Sequence, residues 1–367
     1  MNNVTHISAA DVMYGQFIKY DRMYEMTKYA LYGANTNSVN IYIDAYSLLI
    51  KMYRLGSTLQ IDDSCSIASS LINLAIHLRA YFESRHRISS KVFIIYGGAR
   101  PINIMGTMPQ YNTKNNLAID SNTYLTNMIM DNLDIMNILT PYLHEIYSVI
   151  DYTNEFSTIV SYLIDNIDRD KGEKRPPNII YTKDTLAYQL VAFKPFTFLY
   201  RPRKSYMSDN SWVVTKSTLY NAYRNGELGL KTVINTDLHV HMFSIYQAVS
   251  GVRSRSIQSI ISANKTIKKL EGAVANNVFI NGYNASALNN TVPNPFEELF
   301  RDNPSIDYHE VQERFNIIDL PHQTMIFKSL PEANNVFSNI VDLYNPDEVK
   351  SINNKYFQRY PLDLNRV

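Results

Sequence analysis

Three acidic residues lie where carboxylates could act together on a metal ion. Asp44 follows a β-branched run at 39–43, Asp184 follows an apolar run at 178–181, and Glu155 opens a helical pattern. Phosphodiester hydrolysis with two divalent ions needs several carboxylates around ions about 4 Å apart, because hard cations prefer oxygen ligands. The three acids are candidates for such chemistry, although an acid after a strand is more often a helix cap or a turn residue.

The elements that must position these acids follow an alternating pattern. The predicted strands are 39–43, 91–96 and 178–181, and the predicted helices are 45–54, 64–84, 122–138 and 155–167. Strands that alternate with helices indicate an α/β fold with a parallel sheet, whose ligands bind at the carboxyl ends of the strands. Asp44, Gly97 and residues 182–184 fall at such ends, so the sequence predicts a site at that edge.

The composition is that of a globular protein. The chain has 367 residues, of which 45% are hydrophobic and 19% are charged, and this argues against extensive disorder. One cysteine, Cys65, excludes disulfides within the chain and cysteine-based zinc sites. The sequence shows no signal-peptide pattern and no membrane-spanning run, so we expect a cytoplasmic protein, or a component of a viral particle if a phage encodes it.

Charge is distributed unevenly along a chain whose net charge is +1. Residues 194–271 carry twelve basic and four acidic side chains, whereas residues 297–367 carry seven basic and twelve acidic ones. The basic region is therefore available to an anionic partner such as nucleic acid.

Four segments follow one another in an order that resembles the 5′ to 3′ exonuclease and flap endonuclease family. Residues 39–49 look like its opening strand with an Asp followed by a helix. Residues 92–101 stand where the family has a strand ending in Phe-Asp-Gly. Residues 155–163 resemble its Glu-Ala-Asp-Asp helix, and residues 179–190 resemble its strand ending in Asp-Lys-Asp and continuing to Gln-Leu.

A fifth segment extends the resemblance. Residues 248–257 match Gly-Asp-x-Ser-Asp-Asn-Ile, and residues 265–270 are close to the family's Lys-Thr-Ala-x-x-Leu. In the family this segment is a helix-three-turn-helix that grips a duplex backbone. The resemblance implies an α/β PIN-like parallel-sheet domain with a helix-three-turn-helix and helical extensions.

The chain departs from the family mainly at acidic positions. Residues other than Asp stand at six of them: Gly97, Ser157, Thr158, Thr182, Val252 and Arg255. Asp44, Glu155 and Asp184 remain, and the resemblance implies that these would be the catalytic residues and the ligands of one Mg²⁺ or Mn²⁺. A guanidinium at position 255 would repel a nearby cation.

Two basic segments are predicted to bind nucleic acid. The first contains Arg253, Arg255, Lys265, Thr266, Lys268 and Lys269, and the second contains Arg201, Arg203 and Lys204. The first suits sequence-independent contacts with phosphates, and a solvated helix face would give the same pattern. The second mixes bases with tyrosines, as single-strand binding sites do, but a charged edge strand is equally compatible with it. Between 101 and 150 only Lys114 is basic, so the family's basic arch is not expected.

The predicted organisation has four parts. They are a helical N-terminal arm at 1–38, a PIN-like domain at 39–233, a helix-three-turn-helix at 234–272, and a linker with an acidic C-terminal extension at 273–367. The leading hypothesis is a degenerate 5′ nuclease homologue, weak or inactive in catalysis, that binds DNA or RNA backbones or serves a larger, for example phage, assembly. The alternatives are an active metal-dependent nuclease and a purely structural protein. Tyrosines of the arm could bind a protein partner.

Overall fold

The computed structural model describes slightly more than half of the sequence. The described residues are Tyr24, Lys28, Leu31, 36–49, 64–97, 123–169, 174–182, 184–201, 212–214, 243–252, 257, 308–338, 340–358 and 361–366. They include the predicted sheet and the regions around Asp44, Glu155 and Asp184. Most of the predicted N-terminal arm and of the helix-three-turn-helix lies outside them.

A six-stranded sheet forms the centre of the described fold. Its strands are β1 (Ser38–Asp44), β2 (Ser89–Gly97), β3 (Ile146–Asp151), β4 (Asn178–Tyr181), β5 (Thr197–Arg201) and β6 (Trp212–Val214). The strand order is β3-β2-β1-β4-β5-β6, and every neighbouring pair is parallel except β5 with β6. The predicted α/β class with a parallel sheet is therefore confirmed.

The helices within the described residues follow and flank these strands. Residues 45–49 are helical, within the predicted helix 45–54. The further helices are α1 (Ser64–Ala80), α2 (Thr123–Leu139), α3 (Phe156–Asn166), α4 (Tyr188–Phe193), α5 (Phe243–Ser250), α6 (Tyr308–Ile318), α7 (Leu320–Lys328), α8 (Glu332–Ser338) and α9 (Pro346–Tyr356). None of the helices in this part of the chain is long and apolar enough to cross a membrane.

Two apolar cores lie on opposite faces of the sheet. Side chains alternate between the faces along a strand, so that Tyr42 joins one core while Ile41 and Ile43 join the other. The C-terminal helices contribute to both, since Phe327 packs in the first core and Phe357 in the second. Residues of the acidic C-terminal region, which the sequence predicts as an extension, therefore form part of both cores.

A buried amide cluster, made of Gln189, Gln247 and Ser244, ties three helical regions together. The Gln189 Nε2 donates to Gln247 Oε1 at 2.7 Å and to the Ile318 carbonyl at 2.8 Å. The Gln189 Oε1 accepts from Ser244 Oγ at 3.0 Å and from the Leu320 N–H at 2.8 Å. All the hydrogen-bonding capacity of this amide is used. Gln189 thus fixes α5 and the α6–α7 turn to α4.

The structure agrees with the predicted elements in the first half of the chain and adds one. The predicted strands correspond to β1, β2 and β4, and the predicted helices after 64 correspond to α1, α2 and α3. Strand β3 was not predicted, although Ile146, Val149 and Ile150 form a short apolar run. As the edge strand beside β2, it brings a further carboxylate, Asp151, to the carboxyl edge.

Candidate functional site at the carboxyl edge of the sheet

Parallel pairing brings the ends of β1, β2 and β3 together. Asp44 lies opposite Ile95, and Gly97 at the end of β2 lies opposite Asp151 at the end of β3. Thr182 follows directly after β4, the other neighbour of β1. The sheet therefore gathers these positions at one edge, as the sequence predicts.

Asp44 is buried, with 3% of its surface exposed, and its carboxylate is bound by the protein itself. The Ser47 N–H donates to Oδ1 at 3.0 Å, and the Ser47 hydroxyl donates to Oδ2. The Thr182 hydroxyl donates to the same Oδ2 at 2.5 Å. Both oxygens thus already accept hydrogen bonds. Thr182, which stands where the resembling family has Asp, acts here as a donor to a carboxylate.

The electrostatic setting of Asp44 follows from this burial. Burial raises the pKa of the Asp44 carboxyl, and the nearby charge of Asp184 acts in the same direction, while the hydrogen bonds from Ser47 and Thr182 lower it. The net direction is upward. Desolvation thus outweighs three hydrogen bonds, which indicates an environment without a strong compensating cation among the described groups.

Asp184 is close to Asp44, and Thr182 links the two. The Asp184 N–H donates to Thr182 Oγ1 at 2.9 Å, and the Asp184 Oδ1 accepts from the Leu186 N–H at 3.1 Å. Asp184 therefore stabilises the turn that follows β4. This is a role typical of Asp after a strand.

Gly97 fills a position where no side chain fits. A Cβ added there would lie 2.2 Å from the Phe156 N and 2.9 Å from the Glu155 carbonyl carbon. These are backbone atoms at the start of α3, so they cannot move aside as the end of a flexible side chain could. The close packing of α3 on β2 thus excludes an aspartate at position 97.

Glu155 is placed at the N-terminus of α3. It is buried, with 6% exposed, and its carbonyl accepts from the N–H groups of Thr158 and Ile159 at 3.0 and 3.1 Å. Its side chain does not cap the helix. Glu155 lines a cavity of about 20 Å³ together with Ser157, Thr158 and residues of the α6–α7 turn.

Two further positions that are acidic in the resembling family belong to the interior of this chain. Val252 is fully buried and forms a two-residue bridge with Ile257 through hydrogen bonds of 2.9 and 3.2 Å. Ser157 is 1% exposed, and its hydroxyl has no hydrogen-bond partner among the residues that the structure describes. Neither position offers a carboxylate to the sheet edge.

Asp151 is a carboxylate whose place at this edge could not be predicted from the sequence, because β3 was not predicted. Its Oδ1 accepts from the N–H of Thr153 at 2.8 Å, the hydroxyl of Thr153 at 2.7 Å and the N–H of Asn154 at 3.0 Å. Its Oδ2 accepts from the Asn154 side-chain amide at 2.8 Å. This acid closes the turn after β3 and is saturated by its neighbours.

The carboxylates described above do not form a site for two metal ions. Within the described part of the chain, no group of three or more His, Cys, Asp or Glu side chains could hold a metal ion. The predicted ligands Asp44, Glu155 and Asp184 do not form such a group, although Asp44 and Asp184 lie close enough to interact. Asp44 and Asp151 use their oxygens within the protein, and position 97 cannot carry a carboxylate.

Most of the predicted nucleic-acid-binding residues lie outside the described residues. Arg201 is the last residue of β5. The remaining members of this prediction are outside: Arg203, Lys204, Arg253, Arg255, Lys265, Thr266, Lys268 and Lys269. Their role stays a prediction.

Comparison with solved structures gives fold-level neighbours of low sequence identity. One is a bacteriophage T5 flap endonuclease in a pseudo-enzyme–product complex with DNA and metal ions, with 10% identity and a TM-score of 0.47, covering 85% of this chain and 97% of that one. Another is the T5 5′-exonuclease with zinc bound, with 10% identity and a TM-score of 0.45, covering 87% and 98%. No protein-family profile and no curated protein sequence matches the chain.

Proposed function

We propose that this chain is a non-catalytic homologue of the 5′ nucleases that binds nucleic acid through contacts with the sugar-phosphate backbone. The observation that carries the proposal is the hydrogen bonding of Asp44 within the protein. Donors from Ser47 and Thr182 occupy three of the about four lone-pair sites of this carboxylate, so that Oδ2 is fully used and one site remains on Oδ1. The order of the five family-like sequence segments also supports it.

Packing at three other positions supports the loss of catalysis. Gly97 leaves no room for a side chain, Val252 is part of the core, and Ser157 is enclosed beneath the α6–α7 turn. Restoring an acid at any one of these would bury a charge or cause a backbone collision. The packing around positions 97, 157 and 252 therefore disfavours an acidic side chain at each of them.

Nucleic-acid binding is supported by the charge of residues 194–271, which carry twelve basic side chains against four acidic ones. Contacts of Lys and Arg with phosphates do not require a metal site, and they weaken as salt rises because counterion release then yields less free energy. Binding without hydrolysis is thus chemically consistent with the sheet edge described above.

A cleavage assay tests the catalytic half of the proposal. The full-length protein is incubated with a 5′-flap and a single-stranded DNA substrate in Mg²⁺ or Mn²⁺, alongside Asp44→Ala. We expect no cleavage beyond the level of the variant. Cleavage that Asp44→Ala abolishes would overturn the proposal in favour of an active metal-dependent 5′ nuclease.

A binding assay tests the other half. We expect DNA binding in EDTA that weakens steeply with salt and that falls when Lys265 and Lys268 are both changed to Glu. The matched control is Lys350→Glu on α9, in the acidic C-terminal region, which should leave binding unchanged. If the wild-type protein binds no DNA at low ionic strength, the proposal fails, and a structural role in protein binding replaces it.

A further inference from the structure

The carboxyl edge of the sheet carries a row of three tyrosines that have no part in the proposed function. Tyr96 precedes the last residue of β2, Tyr152 follows the last residue of β3, and Tyr46 lies two residues after Asp44. The ring centroids of Tyr46 and Tyr96 are 6.0 Å apart, and those of Tyr96 and Tyr152 are 5.7 Å apart. The contacts are edge-to-face, an arrangement that aromatic pairs prefer.

Exposure increases along this row. Tyr46 is buried with 9% exposed, Tyr96 is intermediate, and Tyr152 is 50% exposed. The Tyr152 ring is thus half open to solvent while it packs against Tyr96, which in turn packs against Tyr46. Such a surface suits another planar group.

The turn that presents Tyr152 is held in place. Asp151 binds both residues that follow the tyrosine, accepting from Thr153 and Asn154 through four hydrogen bonds of 2.7 to 3.0 Å. A ring on such a turn loses less conformational entropy when a ligand stacks on it than a ring on a loose loop would. Asp151 is therefore a positioning residue for Tyr152.

The charges near the row favour a base over a phosphate. Asp44 is close enough to Tyr96, and Asp134 to Tyr152, to interact electrostatically with the ring. Asp184 interacts in the same way with Asp44. Carboxylates repel the sugar-phosphate backbone.

We propose that the Tyr46–Tyr96–Tyr152 row is a stacking platform for an unpaired nucleobase of single-stranded nucleic acid, with Tyr152 as the contacting ring. This inference rests on the proposed function and specifies its ligand. The base would occupy the carboxyl edge of the sheet, in contact with Tyr152. Base faces inside a duplex are covered by their stacked neighbours, so the platform selects single strands.

The test is a titration in EDTA of full-length protein against a fluorescent, non-self-pairing single-stranded DNA and against a duplex of the same sequence. Tyr152→Ala should raise the Kd for the single strand by about 5-fold to about 150-fold, the range expected when one base loses its aromatic partner. Tyr152→Phe should bind like the wild type. Duplex binding, which depends on phosphate contacts, should not change in either variant.

The matched control is Tyr344→Ala. Tyr344 is 46% exposed and lies in a segment that pairs with residues 141 and 142, before β3 begins and so at the opposite end of that strand. The Tyr344→Ala variant should bind the single strand with the same Kd as the wild type. An oligonucleotide with abasic sites should bind the wild type as weakly as the normal strand binds Tyr152→Ala.

The two levels of the proposal fail in different ways. If the wild type binds the single strand and Tyr152→Ala binds it equally well, the platform is wrong while the proposed function stands. Equal binding of abasic and normal strands by the wild type would likewise exclude the platform alone. If the wild type binds neither single strand nor duplex, the proposed function is wrong and the platform falls with it.

Discussion

Two buried polar regions of this molecule satisfy their hydrogen bonds in different ways. At the carboxyl edge, most bonds are local: Asp44 binds Ser47 three residues away, and Asp151 binds residues two and three positions on. In the amide cluster, Gln189 binds partners 55 to 131 residues distant. The first region is made of turns closed by their own acids, whereas the second joins separate parts of the chain.

The difference shows which region holds the fold together and which shapes a surface. Loss of a local turn acid affects one loop, but loss of the Gln189 amide leaves donors and acceptors from α5 and from the α6–α7 turn without partners. Two contacts at the edge are not local. Thr182 donates a hydrogen bond to Asp44, 138 residues away in the sequence, and Gly97 packs against the start of α3. These two make the edge depend on the tertiary fold as well.

The largest effect is expected at Gly97. Gly97→Asp places a Cβ within 2.2 Å of the Phe156 N and should lower the free energy of unfolding by about 4 kcal/mol or more. Chemical denaturation measures this. Gly97→Ala carries the same Cβ without the charge, so a comparable loss identifies the collision as the cause. A stable Gly97→Ala would contradict the close packing of α3 on β2.

Gln189→Leu should come next, with a loss of about 3 kcal/mol. The leucine is similar in size but leaves the Leu320 N–H and the Ile318 carbonyl buried without partners, and each such group costs about 1–3 kcal/mol. The control is Gln323→Leu on α7, whose amide binds the Asn316 carbonyl at the surface. Urea denaturation should separate the two variants, and equal stabilities would show that the amide cluster contributes little.

Asp44→Asn should change how stability depends on pH. The folded protein holds the Asp44 proton more tightly than the unfolded chain, because burial raises the pKa of this carboxyl. Stability therefore falls as the pH rises from about 4 through the raised pKa, with a slope of up to about 1.4 kcal/mol per pH unit. Asparagine does not titrate, so this part of the slope should vanish in the variant.

The measurement is urea denaturation of both proteins between about pH 4 and about pH 7. Burial also raises the pKa of Asp319 and of Glu83, so both proteins retain the slopes that these groups cause. The difference between the two curves isolates Asp44. Parallel curves would show that Asp44 titrates alike in the folded and unfolded chain.

The smallest effect is expected at Ser157. Ser157→Ala removes a buried hydroxyl that has no hydrogen-bond partner within the described part of the chain and should be neutral or stabilising, within about 1 kcal/mol. Ser161 on the same helix provides the matched comparison, since its hydroxyl lies 2.8 Å from that of Thr324 on α7. Ser161→Ala should cost about 1 kcal/mol. If Ser157→Ala lowered the free energy of unfolding more than Ser161→Ala does, the Ser157 hydroxyl would have to make a stabilising interaction in the folded protein.

The sequence alone predicted the part of the fold that local pattern specifies. Strands β1, β2 and β4 are runs of buried apolar residues, and α3 has a strong amphipathic period, so their positions could be read directly. Strand β3 was missed because Ser148 interrupts its apolar residues. The C-terminal helices were missed because an acidic composition resembles a solvated tail, while α6 and α9 each bury only part of their surface.

The candidate site likewise has features that the sequence determines and features that only the tertiary structure determines. The sequence determined that acids and a glycine stand at the strand ends, because residue type and strand position are local properties. Only the tertiary structure decided what those residues do. The partners of Asp44, the collision at Gly97 and the row from Tyr46 to Tyr152 all join segments that are distant in the chain and meet only when parallel strands align.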